Sequence, residues 1–140
     1  MTAVAEALRT GTDLPTQRYR LTRAHLVAYA GASGDQNPIH WSDRVATAVG
    51  LPGVVAHGML TMALGGRALA AWTGDPGRVL EYGVRFTRPV VVPDDDDGVE
   101  VTVDGVLGEV AVGRARIDLT VTSAGAKVLG QARATVAVDA

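Results

Sequence analysis

Between Ser33 and His40 the chain reads Ser-Gly-Asp-Gln-Asn-Pro-Ile-His, which sets a carboxylate (Asp35), a carboxamide (Asn37) and an imidazole (His40) within six positions. Histidine, with an unperturbed pKa near 6.5, exchanges a proton close to neutral pH, and aspartate stays charged there and can orient or deprotonate water. Residue types such as these can serve general acid–base chemistry. Gly34 and Pro38 keep the stretch out of regular helix or strand, and its apolar flanks, Leu26 to Ala32 and Val45 to Val55, predict partial burial. Buried polar groups need partners or a function. The same residues also suit a plain capped turn: Asp35 and Asn37 are turn formers, and Ser42 or Asp43 can cap a helix that follows. The spacing Asp35, Asn37, His40, His57 can imitate a metal site as well, although metal binding is not the expectation.

The elements around this loop follow from periodicity. Thr16 to Leu21 alternates like a strand, and Thr22 is an N-cap for a short helix with Leu26, Val27, Tyr29 and Ala30 on its apolar face, ending near Gly31. His25 falls in its first turn as a solvated residue. A second short helix runs from Ser42 or Asp43 through Ala46 to Val49 and stops at Gly50 and Pro52. The longest helix starts at His57 or Gly58 and reaches Trp72; apart from Thr61 and Arg67 it is apolar, which predicts burial nearly all round, with Gly65-Gly66 in close approach to another backbone. Everything after Gly77 reads as strand. Leu80, Tyr82, Val84 and Phe86 form one inward set; Val99, Val101 and Val103 a second; Ala115, Ile117, Leu119 and Val121 a third; Val128, Ala132, Ala134 and Val136 a fourth. Turns at Gly108-Glu109 and Ser123 to Ala126 predict antiparallel hairpins. Asp94 to Asp97 is a solvated acidic loop rather than a calcium loop, because spaced ligands and a terminal Glu are missing.

Length and composition bound the function. The 140 residues fit one domain, residues 13–140, behind a loosely docked lead-in of residues 1–12. With 13 basic against 15 acidic residues there is no basic field for nucleic acid or for an anionic membrane surface. The absence of cysteine removes disulfides and thiolate chemistry. No secretory signal and no membrane-length apolar run is seen, so a cytoplasmic location is expected. The predicted class is α+β, a long antiparallel sheet wrapped around a central buried helix. Such a sheet leaves edges to manage, which predicts a dimer.

The order strand, short helix, Ser33-Gly34-Asp35-x-Asn37-Pro38-Ile39-His40, then Val55-Ala56-His57-Gly58-Met59-Leu60 opening the long helix, resembles the MaoC-type (R)-specific hydratase and dehydratase family over about residues 13–138. Tyr29-Ala30-Gly31 before the first motif, Thr61-Met62 after the second and Trp72-x-Gly74-Asp75-Pro76-Gly77 bring it nearest to the catalytic B subunits of bacterial (3R)-hydroxyacyl-ACP dehydratases. The resemblance implies a hotdog fold and reversible hydration of a (2E)-enoyl thioester to a (3R)-3-hydroxyacyl thioester. It implies Asp35 and His40 as the acid–base pair, Asn37 as a residue that orients it, and the Gly58 N–H, at a helix N-terminus, as oxyanion donor. His57 is expected in a helix-start or pocket-wall role, with Met59 and Met62 beside the acyl chain. No cofactor is implied: the substrate is carried as a CoA or ACP phosphopantetheine thioester. The partner is a second copy or a related hotdog subunit. A partner-dependent or non-catalytic acyl-thioester-binding subunit and a hotdog thioesterase are the alternatives. Arg85, Arg88, Arg114 and Arg116 are the residues that could meet an acidic carrier or a nucleotide phosphate.

Overall fold

Trp72 is the pivot of the core. It lies in helix α4 (Gly58–Thr73), almost fully buried, and the long strand β3 (Val99–Ala111) passes it at Gly105, where a side chain would collide with the indole ring. The indole Nε1–H donates to the Pro15 carbonyl of strand β1 (Asp13–Leu21) at 2.7 Å, so one side chain ties the helix to two strands. In this computed structural model, which describes residues 2–139, the other elements are helices α1 (Ala3–Ala7), α2 (Arg23–Ser33) and α3 (Asp43–Ala48) and strands β2 (Val79–Phe86), β4 (Arg114–Ser123), β5 (Ala126–Lys127) and β6 (Leu129–Ala137). Single 3₁₀ turns occupy Pro38–His40 and Pro76–Arg78.

The sheet is antiparallel throughout, in the order β1-β3-β4-β6-β2, with β5 a short extra pairing on β4. Inward valines and alanines of β3, β4 and β6 alternate with outward polar residues and close on α4, as the period-two pattern predicts. This is the expected α+β hotdog arrangement. Among the described residues no helix is long and apolar enough to cross a membrane.

Several expectations change. The lead-in is docked: Val4 of α1 is buried in the common core. Helix α2 runs on to Ser33, because the left-handed position that ends it is filled by Gly34 (φ 77°), not by Gly31. His25 is exposed, as expected, and its Nδ1 accepts the Thr22 N–H at 2.9 Å to complete a capping box. Gly108-Glu109 is not a turn; β3 continues past it with a break in register between Leu107 and Val110, and the chain reverses at Val112-Gly113, where Gly113 supplies the positive φ.

Burial of α4 is one-sided. Leu64, Gly65, Ala68, Leu69 and Trp72 face the sheet, while Met59, Ala63, Arg67 and Ala71, four residues apart, form an open stripe. Gly65 packs against the Tyr82 side chain rather than another backbone, and the Tyr82 hydroxyl donates to the Met62 carbonyl at 2.7 Å. Strand β2 is a sheet edge broken by two register shifts, which leaves Leu80 and Phe86 exposed instead of inward.

Candidate active site

Gly34 ends α2 and turns the chain outward, and the next six residues are organised by their own side chains. The Asp35 N–H donates to Ser33 Oγ (3.1 Å), the Asn37 N–H to Asp35 Oδ1 (3.2 Å) and the Ile39 N–H to Asn37 Oδ1 (3.2 Å). Asn37 thus spends its carboxamide oxygen on the turn that starts at Pro38, and the turn delivers His40 inward. The capped-turn reading and the acid–base reading describe the same loop. Asp35 keeps one carboxylate oxygen, Oδ2, uncommitted and half exposed.

His40 is buried, and its Nδ1 lies 2.7 Å from the Val55 carbonyl oxygen. A carbonyl only accepts, so Nδ1 carries the proton and donates it. In the neutral ring Nε2 is therefore a bare lone pair, 3.9 Å from Asp35 Oδ2. That distance is too long for a direct hydrogen bond, and a water bonded to both groups would sit to one side of the line joining them.

The Val55 carbonyl is itself held firmly. The Val55 N–H donates to Ile39 O (3.1 Å), the Ala56 N–H to Val90 O (2.8 Å) and the Val92 N–H to Val54 O (3.0 Å), which pairs 54–56 with 90–92. Asp43 locks the same segment: its Oδ1 accepts the Val54 N–H at 3.0 Å, and both of its oxygens take Arg23. The Val54 amide and then the Arg23 guanidinium hold the Asp43 carboxyl below its usual range. Arg23 also donates to Val92 O. Sequence reading took Asp43 only as a possible cap; Ser42 does the capping, accepting the Val45 N–H. Contacts to backbone carbonyls leave no pattern in a sequence, so Arg23, Asp43 and Val55 went unseen as supports.

His57 precedes α4 and stacks on His40, ring centroids 3.7 Å apart, with Tyr29 against its other side at 4.7 Å. Asp35, His40 and His57 come together within 4.8 Å. As a metal site the trio is poorly arranged, because rings stacked 20° from parallel send their in-plane lone pairs side by side rather than to one point. Gly58 follows at the first turn of α4, whose opening N–H groups have no intrahelical partner. His40, Gly58 and Thr61 line a cleft of about 340 Å³ whose other walls are apolar residues of 39–61, 86–90 and 128–129, with Arg88 as its basic residue. Of the site residues read from the sequence, His40 and Gly58 line it; Asp35, Asn37, His57, Met59 and Met62 do not. Met59 lies on the open stripe of α4, and His57 stands behind His40 rather than in the wall. A larger groove of about 600 Å³ over β2 and β6 carries Arg85, Arg116 and Arg133 but no acid–base pair.

Comparison with known proteins shows what the whole chain is similar to. The pattern of the family described as "MaoC like domain" matches residues 5–124. The 3-hydroxyacyl-thioester dehydratase X of Mycobacterium tuberculosis is 40% identical over 79 residues, 56% of this chain and 27% of that protein. A solved MaoC-like dehydratase superposes with a TM-score of 0.92 at 38% identity, covering 99% of this chain and 43% of that one. The (R)-hydratase from A. caviae involved in PHA biosynthesis superposes at 0.81 and 25% identity, covering 96% and 99%. The chain thus spans about a quarter of dehydratase X and under half of the first structure. With 120 consecutive residues matched, and the loop, the helix and the sheet placed as the resemblance requires, the chain belongs to the MaoC-like domain family.

Proposed function

We propose that this protein catalyses the reversible hydration of a (2E)-enoyl thioester to a (3R)-3-hydroxyacyl thioester, carried on CoA or on an acyl carrier protein. The observation that carries the reading is the forced tautomer of His40: Nδ1–H is spent on the Val55 carbonyl, so a bare Nε2 faces the free oxygen of Asp35 beside a cleft that ends at a helix N-terminus. In dehydration, His40 Nε2 takes the Cα proton and the electron pair moves onto the thioester carbonyl as an enolate. The Gly58 N–H and the positive end of α4 stabilise that oxyanion. As the Cβ–O bond breaks, the proton passes through the His40–Asp35 pair to the departing hydroxyl, so one proton leaves carbon, one water is released and the pair returns to its starting state. Hydration runs the same path backwards.

Names of relatives support the substrate class: dehydratase X acts on 3-hydroxyacyl thioesters, and the A. caviae protein is an (R)-hydratase. Arg88 lines the cleft, which supports it as the residue that meets a phosphate of the carrier arm. The open stripe of α4 and the unpaired edge of β2 support a partner, either a second copy or a related hotdog subunit. The test is loss of enoyl absorbance with crotonyl-CoA, the wild type beside Asp35→Asn and His40→Ala. A fall of about 10²–10⁴-fold in kcat for both variants, with folding intact, is expected of a general acid–base pair. Variants that keep wild-type turnover, or release of free CoA thiol without hydration, would sink the reading.

A further inference from the structure

We infer that His57 is a positioning residue that rivets the acid–base loop to the N-terminus of α4, holding Asp35 through its backbone and His40 through its ring. The inference rests on the proposed reaction and adds a residue that acts through the pair without touching substrate.

Three observations converge. First, His57 occupies the N-cap position of α4 yet makes no side-chain cap, a place where Ser, Thr, Asp or Asn serves better. Second, it is buried (2% exposed), and its Nε2 lies 3.0 Å from the Asp35 carbonyl oxygen. That carbonyl follows the end of α2 in an irregular loop, where neither helix nor sheet offers it a donor. As at His40, the acceptor is a carbonyl, so the neutral His57 ring must carry its proton on Nε2. Its Nδ1 is then a buried lone pair, and among the described residues it has no partner. An unmet polar atom is destabilising, and a fold that wanted only a buried ring would place Phe there. Third, His57 stacks on His40 and directly precedes Gly58.

The two stacked rings therefore hold opposite tautomers, His40 with Nδ1–H on Val55 and His57 with Nε2–H on Asp35. Every polar atom of Asp35 except Oδ2 is thereby fixed: its N–H by Ser33, its carbonyl by His57, its Oδ1 by Asn37. One side chain sets the distance between the pair that moves the proton and the Gly58 amide that receives the oxyanion. Looseness there falls on the chemical step and not on binding, since His57 lies outside the cleft wall.

Two measurements test it. Long-range ¹H–¹⁵N correlation spectra of the histidine rings, at a pH where both are neutral, will show His57 as the Nε2–H tautomer and His40 as Nδ1–H; a His57 proton on Nδ1 overturns the tether. In kinetics, His57→Phe keeps the stack and loses the donor, and His57→Gln returns an amide N–H to the position of Nε2. A loss of about 10²-fold in kcat is expected for His57→Phe, with KM within about threefold of wild type, and His57→Gln recovers at least about tenfold of it. Wild-type turnover in His57→Phe, a loss confined to KM, or no recovery in His57→Gln overturns the proposal. If His57→Phe fails to fold, the tautomer pattern and the turnover of His57→Gln decide. A wild-type chain without hydratase activity fails the functional reading and not the tether, which the tautomer pattern then decides.

Discussion

Gly58 has two duties that its missing side chain performs together: it leaves the first amide of α4 open to the cleft, and it makes room for Phe86, whose ring lies 3.2 Å from where a Cβ would stand. Its backbone is ordinary helix with negative φ, so alanine fits the conformation and narrows the unfolded ensemble. Gly58→Ala should therefore lose about 10-fold or more in kcat, as crowding of an oxyanion donor predicts, while the exposed Phe86 ring gives way to the new methyl and the melting temperature holds. A thermal melt beside the enoyl assay checks the split. The proposed acid–base pair was legible because Asp35 and His40 are unusual types at that spacing in a loop, and Gly58 because it opens an apolar helix. The contacts that hold them were not legible. The tautomer of His40 is set by the carbonyl of Val55 and that of His57 by the carbonyl of Asp35, and any residue has a carbonyl. Met59 and Met62 lie outside the cleft lining for a related reason: apolar type marks a residue for burial somewhere, not for one particular cleft.

Helix α4 and strand β2 meet through Tyr82, whose hydroxyl donates to Met62 O against Gly65. Burial pushes this phenol from its ordinary 10.0 up to about 12. The folded state thus binds the proton more tightly than the unfolded chain, so the stabilisation is whole below pH 10 and is lost as pH rises toward about 12. Denaturant titrations across that window should show stability falling more steeply in the wild type than in Tyr82→Phe. Tyr19, also raised by burial and partly offset by Arg67, adds a shared slope that the difference cancels. Strand existence was plain from alternation, but the edge was not. Leu80, Tyr82, Val84 and Phe86 alternate as cleanly as the central strands, yet β2 lies at the sheet margin with two breaks in register, so half of its apolar set faces out. Alternation reports which residues share a face; it is silent on whether anything in the same chain covers that face.

At the scale of the whole molecule, apolar residues stay exposed on two elements, Leu80 on β2 and Met59, Ala63 and Ala71 on α4, and β2 leaves a strand edge unpaired, features that a partner would cover. The proposed dimer predicts sedimentation at twice the 14.5 kDa chain mass. Leu80→Lys, on the edge and outside the cleft, should shift the protein to the monomer and lower activity with it, whereas a monomeric wild type with full turnover would remove the partner from the scheme. The architecture was legible from one apolar helix followed by alternating strands. The wrapping was legible only in part, because the sequence shows that α4 must be covered but not that one chain covers one side of it.

The closeness of the proposed acid–base pair bears on the stereochemical course of the proposed reaction. Asp35 Oδ2 and His40 Nε2 stand 3.9 Å apart, too near each other to reach opposite faces of a planar enoyl group. In the proposed hydration, hydrogen and hydroxyl would then join from the same side, a syn addition. Run in deuterium oxide, it should give the syn diastereomer labelled at Cα, and the anti diastereomer would show the two groups acting from opposite faces.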